Sequence, residues 1–206
     1  WRLNTLGNHD ILIVDENMDG SKANNLEKLD YVDFIDKDSF LKKIDKGAIS
    51  FKVDTIYHMG ACSSTTENNM EYLKENNVEY SKSLGKWCLA NNAKYIYASS
   101  AATYGDGSNG FDDDYSVIPG LKPLNKYGLS KQMFDMWVLE NKLENKFVGL
   151  KYFNVFGPNE NHKGDMRSMV NKAYTQINET GKLKLFRSLK PEYKDGEQLR
   201  DFIYVK

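Results

Sequence analysis

The chain has 206 residues, of which 40% are hydrophobic and 28% charged, and its formal net charge at pH 7 is -1. This composition is ordinary for a globular protein, and the charge excludes the basic surface that nucleic acid or an anionic membrane would need. No apolar run approaches membrane-spanning length, and Cys62 and Cys88 form neither a metal-ligand pattern nor a disulfide framework. We therefore expect a cytoplasmic protein with no metal, no nucleic-acid partner and no membrane attachment.

Strand and helix patterns alternate from the N-terminus onwards. Residues 11–14 form a short apolar run rich in β-branched side chains, which is typical of a buried parallel strand. Further strands are predicted over residues 53–58, 95–98 and 147–155, and helices over residues 36–47, 70–91 and 124–145. The C-terminal part predicts a helix over residues 166–179 and short strands over residues 183–186 and 202–205.

This alternation predicts an α/β fold: a Rossmann-like, doubly wound parallel sheet with a smaller substrate-binding domain. We expect residues 1–150 to form a partial dinucleotide-binding domain and residues 151–206 to begin the substrate-binding portion, interleaved with the sheet. Such a fold normally opens with a strand and a glycine-rich turn that admits the pyrophosphate. Neither precedes residues 11–14, so we expect the N-terminal strand and glycine loop to be missing and residues 11–14 to be the second strand.

Polar or small residues follow four of the predicted strands. Asp15 follows the first, residues 60–63 the second, Ser99 and Ser100 the third, and Asn154 lies at the end of the fourth. In parallel sheets, ligands bind beyond the carboxyl ends of the strands. The sequence therefore predicts a binding site where these four strand ends meet.

Tyr127 and Lys131 are separated by four positions on a predicted helix, which places both side chains on one face. A neighbouring ammonium favours the phenolate, so we expect the pKa of Tyr127 to fall and the phenol to exchange protons with a substrate hydroxyl. The Ser100 hydroxyl, delivered from a strand end, can share that hydrogen bond. Together these groups are suited to moving a proton on and off an alcohol oxygen while a hydride leaves the carbon.

Several segments resemble known enzymes. YASSAATYG at 97–105 and PLNKYGLSK at 123–131 look like the strand-to-serine segment and the Tyr-x-x-x-Lys helix of the extended short-chain dehydrogenase/reductase superfamily. More narrowly, the serine segment, HMGACSSTTE at 58–67 and YFNVFGPNENHKG at 152–164 are similar to the ADP-glyceromanno-heptose 6-epimerase family.

That resemblance implies an isomerase that inverts C6 of an ADP-linked heptose, for lipopolysaccharide core or surface-glycan precursors. Family enzymes are homo-oligomers in which bound NADP+ removes hydride from C6 and returns it to the opposite face of a keto intermediate, so proton donors are needed on two sides. Tyr127 fits one side, and by resemblance Lys163 serves the other as a base near neutral pH, its ammonium disfavoured by the nicotinamide cation and Lys131. Lys131 would also bind the nicotinamide ribose, and Ser100 would orient the substrate hydroxyl.

The resemblance also assigns ligand contacts along the chain. Those to the coenzyme are Asp15, Glu16, Lys22, Lys37, Met59, Gly60, Ala61, Cys62, Ser63, Asn76, Lys131, Val155 and Lys163. Those to the substrate are Ser100, Asn154, Asp165, Lys172, Phe186, Arg187, Ser188 and Arg200, of which Arg200 fits an ADP phosphate through bidentate geometry. Asp165 and Lys172 depart from the serine and histidine that are familiar at these positions, and this bears on which sugar is bound.

The coenzyme choice rests on opposing signals. An acid after the second strand, here Asp15, favours the free ribose of NAD, and a second acid at Glu16 would repel a 2′-phosphate. Lys22 and Lys37, by contrast, match family lysines that meet the 2′-phosphate of NADP. We favour NADP, with NAD as the alternative.

Two other functions stay open. Another nucleotide-sugar epimerase or dehydratase would share most of this site, but such dehydratases carry an acidic pair where this chain has Ala101 and Ala102, and a 4-epimerase would not need Lys163. A non-catalytic NADP-binding protein could tolerate the loss of Ser100, Tyr127 or Lys131, and all three are present.

Overall fold

The structure, a computed structural model, describes residues 1–16, 20–189 and 191–206. The chain divides into two compact units. The first contains Leu29–Tyr152 and most of the residues up to the first strand, and the second contains Phe153–Lys206 with a short segment that ends at Lys28.

Helices and strands alternate through most of the chain. In chain order the elements are α1 (Arg2–Thr5), β1 (Leu12–Asp15), α2 (Gly20–Ala23), β2 (Asp33–Asp36), α3 (Lys37–Asp45), β3 (Thr55–His58), α4 (Met70–Leu73), α5 (Tyr80–Ala90), β4 (Lys94–Ser100), α6 (Lys126–Glu140), β5 (Phe147–Tyr152), β6 (Asn154–Phe156), α7 (Met169–Thr180) and β7 (Phe202–Tyr204). Among the described residues, no helix combines the length and the apolar character that crossing a membrane requires.

Every strand pairing in the described part of the chain is parallel. β1 pairs with β2, β3–β4–β5 form a three-stranded sheet in that order, and β6 pairs with β7. Parallel neighbours need a crossover connection, which α4 and α5 supply between β3 and β4, and α6 between β4 and β5. The predicted α/β class with parallel strands is confirmed.

Aromatic packing joins β4 to α6 in the core of the first unit. Tyr97 and Phe134 meet edge to face with ring centroids 4.8 Å apart, and Tyr95 meets Phe147 of β5 in the same way at 5.0 Å. All four side chains are buried. Such pairs contribute about 1 kcal/mol each beyond the area they bury, so they help to hold β4 against α6 and β5.

The helix predicted over residues 70–91 is present, but a π-helical segment, Lys74–Glu79, joins α4 to α5. A π turn holds one residue more than an α turn and is frequent at functional sites. Here Asn77 is buried within it, whereas Asn76 is half-buried. The sequence pattern alone did not predict this interruption.

Helix and strand ends follow local capping chemistry. The Asp36 carboxylate accepts hydrogen bonds from the backbone N–H groups of Asp38 and Ser39, so it is the N-cap of α3. α6 begins after Asn125, whose side chain accepts from the Gly128 N–H at 2.7 Å. It ends at Glu140 rather than at residue 145, and Lys142 follows with a φ of 56° that no helix tolerates.

Three further predictions differ from the structure. The strand predicted over residues 147–155 is interrupted at Phe153, so β5 and β6 pair with different neighbours. The strand predicted over residues 183–186 was wrong, because these side chains are exposed and form no ladder. β2 was not predicted, since Asp33 and Asp36 flank only two apolar residues.

The second unit is built from the β6–β7 pair, α7 and the helical turn Asn161–Met166. Glu160, which is buried, accepts hydrogen bonds from the Gly157 N–H at 2.9 Å, the Ser168 N–H at 2.6 Å and the Ser168 hydroxyl at 2.8 Å. These bonds close the loop before the turn onto the start of α7. The predicted helix over residues 166–179 is present, but begins three residues later at Met169.

Candidate active site

Ser100, Tyr127 and Lys131 meet at the carboxyl end of β4. Their exposed fractions are 8%, 9% and 6%. The Lys131 ammonium donates to the Ala98 carbonyl oxygen at 2.9 Å, and the Ser100 hydroxyl is close enough to the Tyr127 phenol to act on its pKa. The strand end and the helix face that the sequence identified are therefore brought together in one unit.

The local backbone explains how this contact is made. The Ser100 hydroxyl accepts from the Ala102 N–H at 3.1 Å and so caps the turn Ala101–Tyr104 that follows β4. Gly128, next to Tyr127, has no side chain, and a Cβ there would lie 2.7 Å from the Ala102 carbonyl oxygen. The absence of that Cβ lets α6 approach the turn closely enough for Tyr127 to reach Ser100.

The predicted direction of the Tyr127 pKa was wrong. Burial raises the pKa of Tyr127 above its usual value, and hydrogen bonding from the Ser100 hydroxyl only opposes that rise. Burial also lowers the pKa of Lys131 to about 8, while Asp135 and Cys62 raise it. Desolvation disfavours both charged forms, and within the protein it outweighs the attraction between an ammonium and a phenolate.

His58, at the end of β3, is a neutral neighbour of this site. Burial, reinforced by the charge of Lys131, lowers the pKa of His58 to about 3. Its Nδ1 lies 2.7 Å from the Tyr95 hydroxyl. The imidazole is thus held uncharged at physiological pH and cannot serve as a proton donor of the imidazolium type.

The loop after β3 is fixed by the π-helical segment. The Asn77 side chain accepts from the Cys62 N–H at 2.8 Å and donates to the Cys62 carbonyl at 3.0 Å, and it also donates to the Ser130 hydroxyl at 3.0 Å. This clamp ties residues 60–63, all predicted coenzyme contacts, to the helix that carries Tyr127. Met59 is exposed, and the Tyr152 hydroxyl approaches its sulfur at 3.8 Å.

A second polar cluster lies at the end of β1. The Lys37 ammonium donates to the Asn76 side-chain oxygen at 3.0 Å and to an Asp38 oxygen at 3.4 Å, and lies 3.9 Å from a Glu16 oxygen. The Glu16 N–H donates to the Asp15 carboxylate at 2.8 Å. The structure therefore brings together four of the predicted coenzyme contacts.

The remaining predicted residues lie in the second unit. Lys22 is on α2, and Lys163 and Asp165 are exposed on the turn Asn161–Met166. The Lys163 N–H donates to the Glu160 carbonyl at 2.9 Å, and the Lys172 ammonium donates to the Asp165 carbonyl. No hydrogen bond of the Lys163 side chain is found among the described residues.

The other predicted ligand contacts of this unit are mostly solvent-facing. The substrate contacts Asn154, Phe186, Arg187 and Arg200 and the coenzyme contact Val155 are exposed, and the substrate contact Ser188 is half-buried. The Asn154 amide donates to the Asp201 carbonyl at 2.9 Å, beside the β6–β7 ladder that brings residue 154 opposite Phe202. Asn154 and the chain next to Arg200 are thus neighbours.

Sequence reasoning missed a buried ion pair beneath Ser100 and Lys131. Asp135 of α6 and Lys151 of β5 lie with oxygen and nitrogen 2.6 Å apart, and their side chains are 2% and 14% exposed. The spacing of four between Lys131 and Asp135 was a signal that could have found the acid. Lys151 had no such signal, because its strand was predicted from apolar residues.

Comparison with known proteins gives the family. The profile of the NAD dependent epimerase/dehydratase family matches residues 2–206. ADP-L-glycero-D-manno-heptose-6-epimerases of Nitratidesulfovibrio vulgaris (strain DP4) and Fusobacterium nucleatum are each 50% identical to this chain, over 206 and 209 residues. Each alignment covers 100% of this chain, which spans only 64% and 63% of those two relatives.

A solved structure agrees. The crystal structure of ADP-L-glycero-D-manno-heptose-6-epimerase from Helicobacter pylori matches with a TM-score of 0.68 and 27% identity, covering 95% of this chain and 70% of that one. The resemblance predicted from the three sequence segments is confirmed. With the family profile matched across nearly all of its length, the chain belongs to the NAD dependent epimerase/dehydratase family.

Proposed function

We propose that the protein inverts C6 of an ADP-linked heptose, converting ADP-D-glycero-D-manno-heptose to its L-glycero epimer by transient oxidation and reduction. The observation that carries the proposal is the buried contact of Ser100, Tyr127 and Lys131 at one strand end. The 50% identity to two heptose 6-epimerases supports the sugar and the reacting carbon. The product would serve lipopolysaccharide core or surface-glycan synthesis.

The donor set fits a nicotinamide dinucleotide. The buried Lys131 ammonium has three N–H donors, and Ala98 is its one protein acceptor among the described residues. The two further donors suit the adjacent hydroxyls of a ribose. A Cβ built on Gly60 would meet nothing within 4 Å, which leaves room for a ligand beside that backbone.

The coenzyme, when bound, supplies the acceptor and donor of hydride and a positive charge on its oxidised ring. Tyr127 would exchange the proton of the C6 hydroxyl, and Ser100, whose hydroxyl lies beside the Tyr127 phenol, would orient that hydroxyl. Burial disfavours the Tyr127 phenolate in the protein alone, so cationic charge from Lys131 and the oxidised ring is needed to form it.

Lys163 is proposed as the proton donor and acceptor on the other face of the sugar. Inversion at a single carbon needs the hydroxyl to be reached from two sides, and a lone Tyr127 serves one. Lys163 lies in an exposed turn whose loop is closed by Glu160, so its side chain is available to a substrate. Asn154, Asp165, Lys172, Phe186, Arg187, Ser188 and Arg200 are the proposed substrate contacts of the same unit.

For the coenzyme we propose NADP, with NAD as the alternative. Lys37 and Lys22 are the proposed partners of the 2′-phosphate, Asp15 is the proposed partner of the adenosine ribose, and Glu16 and Asn76 are further proposed coenzyme contacts. Changing Lys37 to Met should weaken binding of NADP about tenfold and leave that of NAD within about twofold, since one phosphate contact is lost. Equal losses for both coenzymes in calorimetric titrations would contradict the assignment.

The wider setting follows the family. We propose a homo-oligomer in the cytoplasm, with residues 1–150 as part of the dinucleotide-binding domain and residues 151–206 as the beginning of the substrate-binding portion. Met59, Gly60, Ala61, Cys62, Ser63 and Val155 complete the proposed coenzyme contacts.

The direct test uses the full-length protein with its coenzyme. It is incubated with ADP-D-glycero-D-manno-heptose, and the configuration at C6 is followed by proton NMR. Inversion is expected with the wild type and not with Tyr127→Phe, provided that both bind coenzyme equally. A coenzyme-loaded wild type that leaves C6 unchanged would overturn the proposal.

A further inference from the structure

The Asp135 carboxylate is a buried hub between α6 and two strands. It accepts hydrogen bonds from the Ser99 hydroxyl at 2.7 Å, the Tyr97 hydroxyl at 3.0 Å and the Lys151 ammonium at 2.6 Å. Asp135 follows Lys131 by four residues, as Lys131 follows Tyr127, so all three side chains lie on one face of α6. The proposed mechanism uses only Tyr127 and Lys131 and leaves Asp135 without a role.

Lys151 extends this hub to Ser100. Its ammonium also donates to the Thr103 hydroxyl at 2.9 Å, and Thr103 in turn donates to the Ser100 carbonyl at 2.8 Å. The same ammonium lies 5.4 Å from the centre of the Tyr104 ring. The ion pair and Thr103 thus hold the turn Ala101–Tyr104, which Ser100 caps.

Three successive residues of β4 are therefore held by side chains of α6 and β5. Lys131 binds the carbonyl of Ala98, Asp135 binds the hydroxyl of Ser99, and Lys151 reaches the carbonyl of Ser100 through Thr103. We propose that Asp135 and Lys151 are positioning residues, which orient the Ser100 hydroxyl and place a negative charge beneath the Lys131 ammonium. This inference rests on the proposed function.

The glycine opposite Tyr97 shows that the backbone accommodates this hub. A Cβ on Gly149 would lie 2.5 Å from the Tyr97 hydroxyl oxygen. Since β4 and β5 pair Tyr97 with Gly149, the missing side chain is what lets the phenol lie across β5 towards Asp135. Burial and the neighbouring carboxylate raise the pKa of Tyr97, so it stays a hydrogen-bond donor at every working pH.

Stability alone is a weak reason for such a pair. Replacing a buried ion pair by apolar residues of similar volume is often neutral or stabilising, because desolvating two charges cancels most of their attraction. An apolar pair could not hydrogen-bond to Ser99 and Thr103, and it would carry no charge to act on Lys131. The chemistry of the Asp135–Lys151 pair therefore indicates a role in the candidate active site.

The charges around Lys131 set the expected direction of the effect. Asp135 faces it from α6, Cys62 from the loop after β3, His58 from β3 and the Tyr127 phenol from the preceding turn of α6. Of these, Asp135 raises the pKa of Lys131 against the effect of burial. Removing its charge should let Lys131 lose its proton at lower pH, with Lys151 then adding repulsion.

The test combines kinetics with a direct titration of Lys131 in the full-length protein. Asp135→Asn keeps the volume and removes the charge, Thr103→Val removes only the link to Ser100, and Asp54→Asn removes the acid of the exposed Lys52–Asp54 pair as a matched control. Protein labelled with [ε-13C]lysine is followed by NMR from about pH 6 to about pH 11, and the Lys131 signal is assigned by its loss in Lys131→Met.

Asp135→Asn should lower kcat for the heptose about 30-fold with little change in KM and move the Lys131 midpoint to lower pH, whereas Thr103→Val should lower kcat about tenfold and leave the midpoint in place. The control should alter neither. A folded Asp135→Asn with the wild-type midpoint would overturn the inference, as would a Thr103→Val variant with wild-type kcat. The titration involves no sugar, so its outcome is separate from that of the proposed function. A wild type without epimerase activity would refute the proposed function, and the Lys131 titration would still show whether Asp135 acts on Lys131.

Discussion

In the first unit, Ser100, Tyr127 and Lys131 are at most 9% exposed, and Ser100 and Lys131 are hydrogen-bonded to the backbone of the turn and strand beside them. In the second unit, Lys163, Arg187 and Arg200 face solvent. The first set is oriented by the fold itself. The second has few protein partners to orient it. In the proposed function, proton exchange at Tyr127 would thus depend on preorganised geometry, and sugar recognition would depend on contacts that form on binding.

The largest effect should come from the preorganised side. Tyr127→Phe removes the proton-transferring hydroxyl, and we expect kcat to fall by about 10³-fold or more, within the usual range for general acid-base catalysis. Because the aromatic ring stays in place, the thermal unfolding midpoint should change little. A variant that kept a tenth of the wild-type rate would place the acid-base group elsewhere.

The exposed side should respond differently. Lys163→Met is expected to lower the rate of C6 inversion about 100-fold and to shift the unfolding free energy by less than about 0.5 kcal/mol, because the side chain is on the surface. Lys182→Met, another exposed lysine of this unit, is the matched control and should retain activity. Full turnover by Lys163→Met would favour a 4-epimerase and would contradict the proposal that Tyr127 and Lys163 act on opposite faces of the sugar.

Gly149→Ala tests the comparison between the two units, because it disturbs only the buried site residues of the first unit. The new methyl would collide with the Tyr97 phenol, and overpacking of this kind costs about 1–3 kcal/mol in unfolding free energy. A fall in kcat should accompany it, since Tyr97 binds Asp135. Gly120→Ala, where a Cβ would meet nothing within 4 Å, should be close to neutral in chemical denaturation.

Lowering the pH should reduce the unfolding free energy of the first unit, because His58 is buried in its neutral form. The folded-state pKa of about 3 lies below the usual 6.5, so the unfolded chain binds more protons and stability is lost as pH falls below 6.5. From about pH 7 to about pH 5 the loss is about 2 kcal/mol. Tryptophan fluorescence in urea reads it, since Trp1, Trp87 and Trp137 all belong to this unit.

The matched control for this titration removes the imidazole. His58→Phe cannot titrate and should flatten the pH dependence. An unchanged slope in His58→Phe would show that His58 is accessible to protons in the folded state.

Local spacing in the sequence predicted the arrangement of the site better than its electrostatics. The interval of four residues predicted that Tyr127 and Lys131 share one helix face, and the strand before Ser100 predicted that its hydroxyl lies near them. The direction of the Tyr127 pKa was missed because burial depends on the surrounding fold. In the same way, Leu183 and Leu185 alternate with lysines as in a strand, yet a strand also needs a partner, and none is paired to them in the described part of the chain.

The central claim is that a carbon-bound hydrogen leaves C6 and returns to its other face within one active site. The most direct measurement supplies ADP-heptose carrying deuterium at C6 to the coenzyme-loaded full-length protein in ordinary water and follows the product by NMR. The account predicts inversion with the deuterium retained at C6. Inversion accompanied by replacement of the label with solvent hydrogen, or no inversion at all, would contradict it.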